Sequence, residues 1–252
     1  MTPATGALLA AAGLAAGAVN AVAGGGSLIS FPALLAAGYP SVTANVTNTV
    51  ALFPGYAGSV VGGRTELEDQ RGRIRSVAGT GIVGAVLGAV LLLTTSGDVF
   101  RRVVPYLILL ACVLLVLQPR LATAVRARQE PGARGGGILL QAGVLLASIY
   151  GAYFGAGLGV LLLGVLGILL HDRLQRINAL KNVLSLVINT VALVAFGIFG
   201  PVAWDAVVVI ALASLLGGYG GARVARRIPA TALRVTVVLY GVTVAVVLLV
   251  RG

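Results

Sequence analysis

Charge is scarce in this sequence, and acidic charge is scarcest. Of the 252 residues, 10 % are charged and only seven are Asp or Glu. A soluble domain carries about 25 % charged residues, so this stock cannot cover a water-facing surface. The seven acids (Glu66, Glu68, Asp69, Asp98, Glu130, Asp172 and Asp205) all fall in or beside breaks between apolar runs. No run has a carboxylate at its centre. That leaves no carboxylate relay of the kind pumps use and none of the usual ligands for cation transport, which favours an anionic substrate. Cys112 is the single cysteine and lies inside an apolar run, so no internal disulfide can form. His171, the single histidine, has no Cys or His partner for a metal. No Ser or Cys nucleophile stands beside His171-Asp172 in sequence, so neither an enzyme nor a cofactor is expected. Aromatic residues, at 6 %, are too few to stack nucleic-acid bases, and the arginines sit between apolar runs rather than along one face. The net charge of +11 therefore reads as topology-setting charge rather than as a nucleic-acid surface. The first residues, MTPATGALLAAAGLAAG, lack a basic n-region, which argues against a cleaved signal peptide.

What the chain does have is apolar length. Hydrophobic residues make up 58 %, with 36 glycines among the rest. A bilayer span needs about 20 apolar residues, and several runs qualify. The first, 6–38, is 33 residues long and is interrupted by Gly24-Gly25-Gly26-Ser27 and by Pro32. Runs over 44–62, 76–95 and 103–119 follow. A basic linker, RLATAVRARQEPGARGGG, occupies 120–137 and reads as an exposed loop. A second overlong run covers 138–170, followed by 177–199, 203–222 and 231–250. Three segments result: a membrane repeat over 1–119, the linker over 120–137, and a second membrane repeat over 138–252. An offset of 134 residues aligns Gly17 with Gly151, Gly25 with Gly159, Asn48 with Asn182, Gly63 with Gly197 and Gly84 with Gly218. Glycine matches come cheaply here; the Asn pair and the shared pattern of breaks carry more weight. Internal repeats of this kind are typical of secondary transporters.

The overlong stretches decide the expected topology. A continuous 33-residue helix would be about 50 Å long, too long for a hydrocarbon core of about 30 Å. If each stretch crosses once, with the basic linker inside, the 18 positive residues divide nine inside and nine outside. If each doubles back as a hairpin, 15 lie inside, and only Arg101, Arg102 and Arg251 lie outside. The positive-inside rule selects the hairpins. Each half then makes three full crossings, so the halves have opposite orientations. The expectation is an all-α integral membrane protein of two inverted repeats, each a broken or re-entrant hairpin followed by three transmembrane helices. Irregular backbone at membrane depth is tolerated only where protein or water surrounds it, so the breaks should face an internal cavity.

Candidate ligands cluster at these breaks. The first reads Asn20-Ala-Val-Ala-Gly24-Gly25-Gly26-Ser27. Glycine permits a sharp turn and close backbone approach, and a half-helix restarting there would present free N–H groups and a positive dipole end to an anion. Ser27 would add a hydroxyl or cap the half-helix. The second break contains Gly151, Gly155, Gly157 and Gly159, which fit a small-residue packing face equally well. Downstream, Asn178, Asn182, Ser185 and Asn189 recur on one helical stripe with Lys181 beside it. Asn45, Thr47 and Asn48 stand at the matched place in the first half. Such polar groups in a span face an interior or a cavity, either as interhelical hydrogen bonds or as the lining of a substrate path. Lys181, the single lysine against 17 arginines, is the strongest candidate for pairing with an anion. The expected substrate-binding set is Asn20, Gly24, Gly25, Gly26, Ser27, Thr47, Asn48, Gly155, Gly157, Lys181, Asn182 and Asn189.

The segment GAVNAVAGGGSLISFPALLAAGYPSVTANVTNTVALFPG, 17–55, resembles the N-terminal signature of the sulfite exporter TauE/SafE family, and RINALKNVLSLVINTVALVAFGIFG, 176–200, resembles its repeated signature. The resemblance covers nearly the whole chain and places Gly24, Gly25, Gly26, Asn48, Lys181, Asn182 and Asn189 on motif positions. It implies a multi-pass permease of the prokaryotic inner membrane, with basic loops cytoplasmic, moving sulfite, organosulfonates or related small anions. The expected partners are that anion and the lipid bilayer. A passive anion channel and a non-transporting scaffold or sensor remain as alternatives.

Overall fold

The computed structural model describes residues 1–22, 25–62, 64–127, 137–170, 172–224 and 230–251. Gly24, His171, Arg128, Arg134, Arg226 and Arg227 lie outside the described residues. Every described element is helical. The first half comprises α1 (Pro3–Val22), α2 (Ser27–Ala36), α3 (Ser41–Gly62), a single 3-10 turn at Arg64–Leu67, α4 (Arg71–Thr94) and α5 (Gly97–Ala127). The second comprises α6 (Ile138–Tyr153), α7 (Leu158–Leu169), α8 (Leu174–Phe199), α9 (Trp204–Val224) and α10 (Ala230–Arg251). The order long, short, long, long, long therefore occurs twice. The linker expected as a loop is helical through Ala127, because α5 continues past Pro119 into the helix-forming run RLATAVRA.

Both overlong stretches break where glycine permits it. Gly25 has φ +87°, and Gly155 and Gly157 both have φ +79°, conformations that a side chain disfavours. After each break the chain doubles back. A Cβ on Gly151 would meet Leu158, and one on Gly143 would meet Val165, so α6 and α7 run antiparallel side by side. In the first half, a Cβ on Gly26 would lie 2.2 Å from the carbonyl oxygen of Ala16, which fixes α2 against α1. With 10 and 12 residues, α2 and α7 are about 15–18 Å long, too short to cross a bilayer.

The halves interlock. Helix α1 packs on α9, and its counterpart α6 packs on α4; α3 lies on α8, and α5 on α10. The first two crossings are made by small residues. A Cβ at Gly17 would sit 2.0 Å from the Ser214 carbonyl oxygen, and one at Gly217 would sit 2.1 Å from that of Leu14. The matching crossing brings Gly88 against Ile149 O and Gly84 against Leu145 O. Without Cβ atoms the helix backbones touch, which is how helices gain contact where lipid supplies no hydrophobic drive.

Outward faces are apolar. On α4, Ile82, Val83, Val86, Leu87, Val90 and Leu91 are each about half exposed, and Val208, Leu212, Leu215 and Leu216 form a similar face on α9. Water would not tolerate such continuous apolar surface on a monomer. By length and composition, four helices among the described residues could cross a membrane: α1, α4, α5 and α8. Helix α3 also has spanning length but carries Asn45, Thr47, Asn48 and Thr49, all buried, so its polar groups face protein.

Candidate functional site

A buried polar group must find a partner or incur a desolvation penalty, and the partners of α3 show what it organises. Asn48 Oδ1 accepts the Ser30 hydroxyl of α2 at 2.5 Å. Thr47 Oγ1 accepts the Ala203 N–H at 3.0 Å, tying α3 to the connection before α9. Asn45 Nδ2 donates to the carbonyl of Tyr153, the last residue of α6, at 2.8 Å. Within four residues α3 therefore touches the first hairpin, the second hairpin and the α8–α9 connection.

At the first break, Asn20 Oδ1 accepts the Gly26 N–H at 2.7 Å, so that donor is already occupied. Ser27 is buried at the start of α2, facing Tyr56 of α3. Gly25 lies against Leu115 of α5. The expected residues Asn20, Gly25, Gly26, Ser27 and Asn48 are thus brought together, with Ser30 between them. Ser30 was not among the expected residues, because a serine flanked by Ile29 and Phe31 in an apolar helix carries no signal of its own.

The second break is built differently. Gly155 O accepts the Leu158 N–H, Gly157 O accepts those of Val160 and Leu161, and Tyr150 OH donates to Ala156 O at 2.5 Å. Gly157 lies 3.4 Å, by its would-be Cβ, from the backbone of Ala111 on α5. T-shaped ring contacts from Phe154 to Phe31 and Tyr150, and from Tyr153 to Phe100, surround the turn. Lys181 reaches this break from α8. A Cβ built on Gly159, in the first turn of α7, would lie 4.0 Å from the Lys181 Nζ. No carboxylate pairs with Lys181 among the described residues. The ammonium thus lies beside the positive end of a helix dipole.

The other two expected residues stand apart. Asn182 Nδ2 contacts the Ser59 carbonyl across the α3–α8 packing at 3.4 Å. Asn189 is buried and donates to Ser185 O of its own helix at 2.8 Å. Its place on the stripe was legible, but its side chain closes on α8 itself.

Away from the breaks, a clasp joins the halves. Asp172, between α7 and α8, takes Arg73 of α4 and, at 3.2 Å, the Nε of Arg176, while Gln70 Nε2 donates to Arg176 O at 3.1 Å. Partial burial raises the Asp172 pKa, but the hydrogen bonds from Arg73 and the Arg173 N–H, with the charges of both arginines, outweigh it and hold the carboxyl below its ordinary range. At the connection before α3, Tyr39 faces Asp205 at the start of α9; burial and then that carboxylate hold the phenol above its ordinary range. The offset of 134 carries Tyr39 to Arg173 and Asp205 to Arg71, so the two clasps occupy matched places.

Comparison with known proteins agrees with this architecture. The family model described as sulfite exporter TauE/SafE matches residues 9–248. The chain is 29 % identical over 248 residues to a Sinorhizobium protein named "Probable membrane transporter protein ORF9", covering 96 % of this chain and 92 % of the relative. A Haemophilus influenzae "Probable membrane transporter protein" is 27 % identical, covering 92 % and 90 %, and the Escherichia coli K12 protein YfcA, which carries the same description, is 28 % identical, covering 82 % and 76 %. No solved structure gives a significant match. Apolar outward faces on α4 and α9, two glycine-broken hairpins and a family match across nearly the full length lead to one conclusion: the chain belongs to the sulfite exporter TauE/SafE family and is a multi-pass membrane transporter.

Proposed function

We propose that this transporter moves small oxyanions, sulfite or organosulfonates, through a site at the second break formed by Lys181 and the N-terminal turn of α7. One observation carries this assignment: the single lysine is set beside a helix N-terminus with no carboxylate partner among the described residues. A cation next to the positive end of a helix dipole is electrostatically unfavourable. The Leu158, Val160 and Leu161 N–H groups already donate to carbonyls of the break, so an anion between lysine and helix would accept the Gly159 N–H and a charge-assisted hydrogen bond from the ammonium, which removes the conflict. The glycines matter because Gly159 leaves room for both the ion and the lysine.

The architecture supports a scheme of alternating access. The two hairpins are held by α3 and α5, and matched clasps close the halves at Asp172–Arg73 and at Tyr39–Asp205. Releasing one clasp while the other holds would expose the site to one side at a time. In this scheme the repeats are inverted, the Asp172 clasp faces the cytoplasm with the basic loops, and the protein resides in the prokaryotic inner membrane. The chemistry is translocation without bond-making.

The test is flux into proteoliposomes across sulfite, sulfoacetate, taurine, sulfate and acetate, with Lys181→Ala as the control. A saturable flux for one sulfur oxyanion, reduced in the variant by about one to two orders of magnitude at sub-saturating substrate, is expected. Equal flux in wild type and a folded Lys181→Ala would refute the site. Flux that never saturates would replace the transporter mechanism with a channel.

A further inference from the structure

The second break has two ends, and the anion site uses only one. Where α7 begins, the helix dipole is positive; where α6 ends, it is negative and its last carbonyls lack helical partners. The N–H of Gly155 turns back to Tyr150 O at 3.3 Å instead of reaching Gly151 O, so the Gly151 and Ala152 carbonyls receive no backbone N–H from the break. Gly155 has no Cβ to cover them; one built there would lie 3.1 Å from Gly151 O.

Asn45 reaches the same helix end. It is 1 % exposed, and its Nδ2 donates to Tyr153 O. That bond fixes the amide's orientation, because turning it over would set Oδ1 against the Tyr153 carbonyl. Yet Asn45 Oδ1 is fully buried and has no hydrogen-bond partner among the described residues. A buried amide oxygen without a donor has lost its hydration with nothing in exchange, and a bound positive charge would satisfy it.

We propose that Asn45 Oδ1 and the C-terminal carbonyls of α6 form a binding site for a dehydrated monovalent cation, sodium in the first instance. The oxygens are neutral, and no group of three or more His, Cys, Asp or Glu exists among the described residues to hold a metal. Neutral oxygens with about half a negative charge from the helix dipole offset part of one positive charge and leave a divalent ion far less compensated. No apolar run carries a carboxylate at its centre, which disfavours a carboxylate-ligated cation there but not one held by carbonyls. Its role as coupling ion rests on the anion site proposed above; its binding does not. The four-residue turn at 154–157 would then hold a cation at one end and an anion at the other, and the pair would cross together with little net charge.

The experiment is equilibrium binding of radioactive sodium to purified, detergent-solubilised protein without any added anion. Wild type should bind saturably, with displacement by unlabelled sodium chloride but not by choline chloride. Folded Asn45→Leu should bind about tenfold to a hundredfold more weakly. Lys181→Ala should bind sodium as wild type does, whatever its anion flux, which separates the two sites. No saturable sodium binding by wild type, or unchanged affinity in folded Asn45→Leu, would each overturn the proposal.

Discussion

Replacing Gly17 by alanine adds one carbon to a helix, yet it should be among the more damaging changes available. Its Cβ would sit 2.0 Å from the Ser214 carbonyl oxygen and 2.7 Å from the carbonyl carbon, both backbone atoms of α9. Ordinary contact begins at 3.4 Å, so α1 and α9 must separate locally by about 1.4 Å. Neither helix can yield by rotating a side chain. Forced overpacking of this kind is destabilising by about 1–3 kcal/mol. The same substitution at Gly79 of α4, which has nothing within 4 Å, meets no obstacle and gains up to about 1 kcal/mol of helix propensity. Two chemically identical changes should therefore differ by about 2–4 kcal/mol, or roughly 5–15 °C in melting midpoint for a chain of this size. Thermal loss of the monodisperse size-exclusion peak reads this directly. Gly88→Ala, with its Cβ 2.2 Å from Ile149 O, should behave like Gly17→Ala. If Gly17→Ala melts with or above Gly79→Ala, the close backbone crossing is wrong.

Other outcomes follow from the same geometry. Asp172 has a depressed folded pKa, so the clasp's contribution is fully present above the unfolded value of about 3.9 and is lost as pH falls through the lower folded value. Thermal stability should accordingly show no Asp172-dependent change between about pH 5 and 8, and the gap between wild type and Asp172→Asn should close only under stronger acid. Thr47→Val removes the acceptor for the Ala203 N–H at 3.0 Å and should destabilise by about 1–3 kcal/mol without altering which anion is carried, measured as melting midpoint beside flux selectivity. Cysteines placed near Trp204 and near Arg176 should react with impermeant reagents from opposite sides of the membrane; reaction from one side would defeat the hairpin topology and with it the inverted repeat.

Much of the fold could be read in the sequence because lipid makes the rules strict. Run length and glycine breaks located both hairpins, and arginine placement favoured doubling back over single crossing. The end of α5 was misjudged: four arginines and a Pro-Gly pair between 120 and 137 look like a loop, while the first eight of those residues are good helix formers. Site residues divide along another line. Lys181 stood out because one ammonium in a span needs a reason, and its place beside Gly159 gives one. Asn189 lay on the right stripe, but periodicity tells which residues share a face, not what lies opposite, and it bonds to its own helix. Asn45 was no more conspicuous than its neighbours. Its significance depends on Tyr153, 108 positions away, and on an oxygen left without a partner.

The exchange of first helices between the halves sets a timetable for synthesis. Among the described helices α1 leaves the ribosome first, but its partner α9 begins at Trp204, about 180 residues after α1 ends. At about 5–20 residues per second, α1 waits on the order of 10–40 seconds with its glycine face turned to lipid or to an insertion factor. Helix α6 finds α4 already in place and waits for nothing. The second half can therefore dock as it emerges, while the first is completed late, when α9 closes over a helix made long before it.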